Sequence, residues 1–331
     1  KAETSVGCAS QVILPPPPLS PYGVFSGTLF QYSSSPSLTA FESLPPHPAD
    51  TTCKNKCILI GGLSDGPIPT PYTKLLEEEC HTLGWSLVQP VLSSSYLGFG
   101  HGSLGRDTTE IGKLLHYLVT HHDASQFALV GHSTGCQNSI HFLKYGQDEK
   151  ELVDRVKVVA LQAPVSDRET EDEDHNSEFI RHAQMLLAQQ QGDEMMPRSA
   201  FWAPITASRY LSLLDVNGED DFFSSDLTDE QLRERLGHVS QRGRRLDLIA
   251  VYSGKDEYVP SFVDKDILLK RLVKAMNNEN VEDDEDDAES GECKAGNARG
   301  LMLEDANHNL SESEGDGARF VAAVGELLRR W

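Results

Sequence analysis

Short apolar runs alternate with amphipathic segments along most of the chain. Six runs read as strands, because their apolar residues follow one another almost without interruption, as in parallel strands buried on both faces. They are residues 56–62, 85–92, 126–131, 156–167, 246–254 and 298–305. Between them, apolar residues recur at the i, i+3, i+4 spacing of a helix, as over residues 106–122. This alternation predicts an α/β protein with a mostly parallel sheet flanked by helices.

The alternation is interrupted between the fourth and fifth runs, where about eighty residues pass without a strand. A plain loop of that length is uncommon in a compact domain. Three helical stretches lie in the interval, at residues 177–192, 206–218 and 228–238. We therefore predict a core of residues 1–166 and 246–331, with a helical cap of residues 167–245 inserted into it. Residues 22–32 and 37–43 read as two early strands that form an antiparallel pair.

The formal charge of −22, from 29 basic and 51 acidic residues, argues against a nucleic-acid partner, because contacts to phosphate need clustered Lys and Arg. Residues 281–292 hold eight acids and no base, and we expect a mobile, solvated acidic loop over residues 281–297. No run of eighteen uncharged apolar residues occurs, so the sequence predicts no membrane-spanning helix. It leaves the oligomeric state open.

Six cysteines are scattered over the chain without a Cys-x-x-Cys pair. Such usage is typical of a reducing compartment and predicts a cytoplasmic protein. Cys53 and Cys57 have no matching second pair and no nearby His, so a zinc site is not expected. The histidines form no helical metal-binding pattern either. We expect neither a metal nor a cofactor.

The chemistry begins at Gly131-His132-Ser133-Thr134-Gly135, which lies between a predicted strand and a predicted helix. A Gly-x-Ser-x-Gly turn in that position holds the Ser on a strained bend with its hydroxyl exposed. A Ser hydroxyl is a weak nucleophile until a His takes its proton and a carboxylate orients that His. The motif therefore predicts Ser133 as a nucleophile, although the same five-residue pattern also occurs in turns that have no catalytic role.

The two partners are expected on later strand ends, first the acid and then the His. Asp256 follows the strand at 246–254, and His308 follows the last strand. Asp256 has a competing interpretation as a helix cap or turn residue. Asp167, at the end of the preceding strand, is a competing acid. His308 could be an ordinary loop histidine, but no other His follows His238.

An acyl-transfer reaction also needs two N–H donors for the negative charge that develops on the carbonyl oxygen. We expect one from Thr134, directly after the nucleophile, and one from Leu63, in the glycine turn after the first core strand. Ser64 and Asp65 in the same turn are candidates for shaping the substrate pocket. Gly61 and Gly62 would permit that tight turn whether or not the donors are used.

Together these residues resemble the α/β-hydrolase superfamily: Gly-Gly after the first core strand, the Gly-x-Ser-x-Gly turn, Asp256 and His308. The segments "ILIGGLSDGPIPTPY", "LVGHSTGCQNSIHFL", "PITASRYLSL" and "SGKDEYVP" further resemble the family known as domain of unknown function 1749, which includes fungal siderophore esterases. The resemblance covers nearly the whole chain from Tyr22 onward. It implies an α/β-hydrolase fold with a helical cap.

The resemblance also implies hydrolysis of ester bonds in a hydroxamate siderophore of the fusarinine type, with release of iron inside the cell. The expected partner is thus a small-molecule ester such as a ferri-siderophore, in which iron is bound only as part of the substrate. The cap is expected to cover the site, with Arg168, Arg209 and Tyr210 as candidates for gripping polar or anionic groups. The alternatives are a carboxylesterase or thioesterase of unrelated substrate, and a non-catalytic binding protein with the same fold.

Overall fold

The computed structural model describes residues 22–45, 53–146, 150–171, 173–279, 298–312 and 314–331. Its strands are Gly27–Ser34 (β1), Ser37–Ser43 (β2), Asn55–Ile60 (β3), Trp85–Val91 (β4), Gln126–His132 (β5), Val156–Gln162 (β6), Asp247–Ser253 (β7) and Ala298–Leu303 (β8). They form one sheet in the order β1-β2-β4-β3-β5-β6-β7-β8. The acidic loop predicted over residues 281–297 lies outside the described residues.

Strands β3 to β8 pair in parallel, whereas β1 and β2 are antiparallel to each other and β2 is antiparallel to β4. The inner strands read as continuous apolar runs because both of their faces are covered, and β5 and β6 are almost completely buried. The predicted α/β architecture and the antiparallel pair are confirmed, and the structure places that pair at one edge of the sheet.

The helices of the described residues are Thr73–Thr82 (α1), Leu104–His121 (α2), Thr134–Tyr145 (α3), Lys150–Arg155 (α4), Glu173–Ala188 (α5), Ala207–Leu214 (α6), Asp229–Leu236 (α7), Lys265–Asn277 (α8) and Glu314–Leu328 (α9). Two 3-10 segments add Tyr96–His101 and Gly237–Arg245. No helix in this part of the chain is both long enough and apolar enough to cross a membrane.

The two faces of the sheet carry separate hydrophobic clusters. Side chains of α1 and α9, such as Leu76 and Phe320, cover one face, and those of α2, α3 and α8, such as Leu115, Ile140 and Leu272, cover the other. All five of these side chains are fully buried, and each contributes about 1.5–3 kcal/mol relative to an exposed position. This burial fixes the sheet as a rigid base for its loops.

The insertion between β6 and β7 has two parts with different packing. Helices α5 and α6 share a small cluster of their own, centred on Tyr210 and Ile205, with Leu63 of the core packed against it. Helix α7 instead contributes Leu232 and Leu236 to the cluster beneath the sheet, where it packs on α8. The first part lies over the loops that follow β3 and β4, since Leu63 packs against its cluster and Thr206 N–H donates to the carbonyl of Gly100, which follows β4.

Candidate active site

Ser133 lies on a strained bend between β5 and α3, with φ of 54° and ψ of −125°. A side chain rarely adopts this positive φ, and the surrounding contacts hold it there. Ser133 N–H donates to the carbonyl of Gln162 at 3.0 Å, and its own carbonyl accepts from Cys136 N–H at 2.8 Å. The bend directs the residue into a cavity at the carboxyl edge of the sheet.

The two motif glycines are required by close backbone approaches. A Cβ on Gly131 would lie 2.4 Å from the carbonyl oxygen of Gly135, and a Cβ on Gly135 would lie 2.2 Å from that of Ile60. These distances are far below van der Waals contact, and the neighbouring atoms are backbone. The pattern therefore follows from how tightly α3 turns back onto β3 and β5.

His308 and Asp256 are joined by a hydrogen bond of 2.8 Å between Nδ1 and Oδ2. Asp256 is 3% exposed and His308 is 7% exposed. The second carboxylate oxygen, Oδ1, accepts from Tyr258 N–H at 3.0 Å. Because Nδ1 donates to the carboxylate, Nε2 is left as the proton acceptor of the ring.

Ser133 and His308 line the same cavity. The hydrogen bonds of the described residues do not include one between the Ser133 hydroxyl and the His308 ring. Asp167, the competing acid, also lines this cavity, but its carboxylate accepts from Gln137 Nε2 at 3.0 Å. Asp256 is thus the carboxylate that the structure places on His308. It does not cap α8, whose N-cap is Asp264.

Gln162, the last residue of β6, connects several parts of the site. Its Nε2 donates to the carbonyl of His308 at 2.8 Å, and its Oε1 lies 2.6 Å from His132 Nδ1. The amide oxygen must accept here, so Nδ1 of His132 carries the proton. Burial, and next the charge of His308, lower the pKa of His132 to about 3. His132 is therefore neutral beside the His308 ring, at a centroid distance of 5.1 Å.

A second contact holds the backbone of His308. Its N–H donates to Glu257 Oε2 at 2.9 Å, and Tyr258 packs edge-on against its ring at 4.6 Å. Sequence reasoning did not find Gln162, Glu257, His132 or Tyr258. A signal existed for Gln162, a polar residue in an otherwise apolar strand end, but no local motif indicated its partner 146 residues further on.

The turn after β3 approaches Ser133 from the other side. A Cβ on Gly62 would lie 2.8 Å from Ser133 Cβ, so only glycine fits there without displacement. Asp65 fixes the turn, because its carboxylate accepts from Gly62 N–H at 2.7 Å. Leu63 and Ser64 follow directly and line the cavity. Thr134 is the first residue of α3, so its N–H has no partner within the helix.

The cavity in front of Ser133 has a volume of about 790 Å³, within the range of small-molecule sites. Its wall combines the loops after β3, β5, β6, β7 and β8 with Phe201 and Trp202 of the insertion.

Burial, and next the charge of Asp220, raise the pKa of Asp167 to about 7. Burial also raises the pKa of Asp65.

The remaining candidates from the sequence do not line this cavity, although Arg209 lines a smaller one together with Leu63 and Thr134. Arg168 is paired with Asp221 and Asp226, and Arg209 is paired with Asp220 and donates to the carbonyl of Phe99. Tyr210 is fully buried in the cap cluster. Of the predicted substrate contacts, the structure therefore brings Ser64 and Asp65 to the cavity and leaves these three outside it.

No group of three or more His, Cys, Asp or Glu side chains in the described part of the chain is arranged to hold a metal ion. Cys53, Cys57, Cys80 and Cys136 are free thiols.

Proteins named as esterases are among those that the chain resembles. It is 32% identical over 320 residues to an esterase of Emericella nidulans, covering 78% of this chain and 82% of the relative. It is 31% identical over 343 residues to the fusarinine C esterase sidJ of Aspergillus fumigatus, covering 89% and 92%. The solved structure of the siderophore hydrolase EstB from Aspergillus fumigatus superposes with a TM-score of 0.68 at 27% identity, over 93% of this chain and 96% of that one.

The sheet order, the strained serine turn and these similarities define an ester-hydrolysing enzyme of the α/β-hydrolase fold. More particularly, residues 17–321 match the family described as protein of unknown function DUF1749, and the chain belongs to that family. The resemblance inferred from the sequence motifs is confirmed.

Proposed function

We propose that Ser133, His308 and Asp256 form a catalytic triad that hydrolyses esters through an acyl-enzyme. One observation carries the proposal: the buried Asp256–His308 hydrogen bond of 2.8 Å ends in the same cavity as a serine held at positive φ. These are the nucleophile, the base and the orienting carboxylate that serine esterases require. The strained bend favours a catalytic role over a non-catalytic one, because backbone strain clusters at functional sites.

In the first step, His308 Nε2 takes the Ser133 proton as Oγ attacks the ester carbonyl. The Ser133–His308 hydrogen bond would tighten as the substrate binds, as catalytic hydrogen bonds do in many enzymes. Asp256 keeps Nδ1 protonated and stabilises the imidazolium. The protonated Nε2 then passes its proton to the leaving alcohol, and an ester between the acyl group and Ser133 remains.

In the second step, water attacks the acyl-enzyme with His308 again as the base, and the acid product leaves with Ser133 regenerated. We assign the oxyanion to the N–H groups of Leu63 and Thr134. Support comes from the approach of Gly62 to Ser133 and from the position of Thr134 at the start of α3, where the helix end favours negative charge.

We further propose that the substrate is a hydroxamate siderophore of the fusarinine type, whose ester cleavage releases iron inside the cell. Support comes from two similar proteins, one named a fusarinine C esterase and the other a siderophore hydrolase. The free thiols of the described residues fit a reducing, cytoplasmic location. The cap of residues 167–245 would select the substrate, since Phe201 and Trp202 form part of the wall.

The test combines an activity-based probe with a substrate screen. A fluorophosphonate should label the wild-type protein and fail to label Ser133→Ala, and the same pair of proteins should be compared on iron-loaded and iron-free siderophore esters, simple acyl esters and thioesters. Absence of labelling in the wild type would refute the triad. Labelling combined with hydrolysis of simple esters alone would refute only the siderophore substrate.

A further inference from the structure

His132 carries a ring nitrogen that the triad leaves unused. The ring is 5% exposed, and it lines the catalytic cavity together with Ser133 and His308. Its Nδ1 donates to Gln162 Oε1 at 2.6 Å, so Nε2 has a lone pair and no proton. Within the described residues no hydrogen bond ends on Nε2, yet this atom is not among the unpartnered polar atoms that are shut off from solvent. Nε2 is therefore an acceptor that a molecule in the cavity can reach.

The amide of Gln162 fixes the direction of this ring. Its Nε2 donates to the carbonyl of His308 at 2.8 Å, and a carbonyl can only accept, so the amide oxygen must face His132. The Tyr72 hydroxyl donates to the same amide oxygen at 3.2 Å. Gln162 and Tyr72 are fully buried. One side chain thus holds both histidines, and it sets the tautomer of His132.

The charge state and position of His132 suit an acceptor beside the base. Burial, and next the charge of His308, lower the pKa of His132 to about 3, so at neutral pH its Nε2 accepts hydrogen bonds and donates none. The centroids of the two rings lie 5.1 Å apart, and their planes are inclined by 55°. Two hydrogen bonds of about 2.9 Å that meet at one water molecule span a gap of this size.

The second step of the proposed reaction needs such an acceptor. The water oxygen bonds to the acyl carbon, and one water proton passes to His308 Nε2. The bond from the acyl carbon to Ser133 Oγ then breaks, and Oγ takes that proton back. The other O–H of the water keeps its proton and becomes the hydroxyl of the acid product. An acceptor for this O–H orients the water and increases the electron density on its oxygen.

We propose that Nε2 of His132 accepts a hydrogen bond from the water that deacylates Ser133, and thereby positions this water while His308 acts as the base. The inference rests on the proposed acyl-enzyme mechanism and adds a residue to its second step. Acylation does not use this water, because the nucleophile is then Ser133, whose single proton goes to His308. His132 is thus a positioning residue for hydrolysis of the acyl-enzyme.

A competing alcohol tests this role within one acyl-enzyme. Methanol has a single O–H, which it gives to His308, so an acceptor on His132 helps water and not methanol. With 4-nitrophenyl acetate in dilute methanol, the acetyl group on Ser133 is divided between acetic acid and methyl acetate. The ratio of these products does not depend on how much of the protein is active. Ser133→Ala supplies the background reaction to be subtracted.

Two substitutions separate the two nitrogens of His132. His132→Asn keeps an N–H near the position of Nδ1 for Gln162 and has no group at the position of Nε2. His132→Gln places an oxygen near the position of Nε2 and gives up the donor at Nδ1. We expect the ratio of methyl acetate to acetic acid to rise about three- to tenfold in His132→Asn, the loss of one hydrogen bond. It should stay within about twofold of the wild type in His132→Gln.

A role of His132 confined to its bond with Gln162 predicts the opposite order of the two variants. The release of 4-nitrophenolate in the first turnover reports acylation, and in His132→Asn it should keep its wild-type rate within about twofold. His116→Asn makes the same substitution at an exposed position of α2 and should change neither the ratio nor the rate.

The wild-type protein offers a check that needs no variant. Its crystal structure should contain a water molecule within hydrogen-bond distance of Nε2 of both His132 and His308, and a structure with no water on His132 Nε2 would refute the proposal. An unchanged product ratio in His132→Asn, or equal shifts in both His132 variants, would also overturn it and leave the triad intact. Absence of any Ser133-dependent release of 4-nitrophenolate would instead count against the proposed function itself.

Discussion

At the scale of single residues, His308 depends on three contacts from distant parts of the chain. Asp256 holds its Nδ1, Gln162 holds its carbonyl and Glu257 holds its N–H. The sequence was sufficient to predict the Asp256–His308 pair, because the two residues follow the last two strands in the expected order. It could not predict the hydrogen bonds of Gln162 and Glu257 to the His308 backbone. Those bonds depend on where the ends of β6, β7 and β8 lie relative to one another.

Replacing Asp256 with Asn should lower kcat by about 10³–10⁴-fold, the cost of presenting the wrong His tautomer. An amide at this position can donate to Nδ1, so the proton moves to Nε2 and the base is lost. Asp305→Asn is a suitable control, because Asp305 is exposed and lies between β8 and His308. Steady-state kinetics on a neutral ester would measure both, and a loss of under tenfold for Asp256→Asn would contradict the assignment.

Asp167 provides a prediction about stability and pH. Burial raises its pKa from 3.8 to about 7 in the folded protein, so the folded state binds the proton more tightly than the unfolded chain does. Its contribution to stability is therefore fully present below about pH 4 and is lost as the pH rises through 7. Asn has no charge to desolvate and retains an oxygen for Gln137.

The Asp167→Asn protein should accordingly gain stability over the wild type as the pH rises, with a larger Tm difference at pH 8 than at pH 5. Thermal unfolding of both proteins at the two pH values measures this. Glu230→Gln, which removes an exposed charge, should show no such trend. A Tm difference that is the same at pH 5 and pH 8 would show that Asp167 ionises normally.

At the scale of elements, the structure confirms the strands and helices that had continuous apolar runs or clear helical spacing. The shorter elements were missed: α4 has six residues, and the two 3-10 segments carry no periodic apolar pattern. Helix α8 begins at Lys265, after the Asp264 cap. Short elements depend on tertiary packing more than on local periodicity.

The cap boundary, by contrast, remains a prediction. Helices α5 and α6 form a cluster of their own, but α7 packs with the core beneath the sheet. Arg271 of α8 strengthens that attachment, since it donates to Asp229 at 2.7 Å and to the carbonyl of Ser225 at 2.8 Å. We therefore propose that the part of residues 167–245 that acts as a cap ends before α7.

The junction of β5 and α3 gives the prediction at this scale. Gly135→Ala would place a Cβ 2.2 Å from the carbonyl oxygen of Ile60, so α3 must move away from β3 or the turn must open. We expect a loss of about 2–4 kcal/mol in the free energy of unfolding and the loss of esterase activity. Chemical denaturation and kinetics would report both.

The matched control is Gly105→Ala in α2, where the nearest atoms lie 3.8 Å or more from the new Cβ. Alanine favours a helix by about 1 kcal/mol over glycine, so this variant should be as stable as the wild type or more so, and fully active. Equal stability of the two alanine variants would show that the turn tolerates a side chain.

At the scale of the whole molecule, the site exists only where loops from five strands meet. Residues 62, 133, 167, 256 and 308 lie far apart in sequence and come together at the carboxyl edge of one sheet. General rules of parallel sheets predicted that edge as the site. The acids that line the cavity, Asp65, Asp167, Glu169, Glu171 and Glu257, could not be predicted as a group, because nothing local distinguishes them among the 51 acids of the sequence.

The central claim is that Ser133 forms a covalent acyl intermediate, and mass spectrometry of the intact protein tests it most directly. The wild type, mixed with excess 4-nitrophenyl acetate and quenched in acid within the first turnover, should gain the mass of one acetyl group, on the peptide that contains Ser133. Ser133→Ala should gain none. A wild-type protein that hydrolyses the ester without any acylated species, or acylation that persists in Ser133→Ala, would contradict the account.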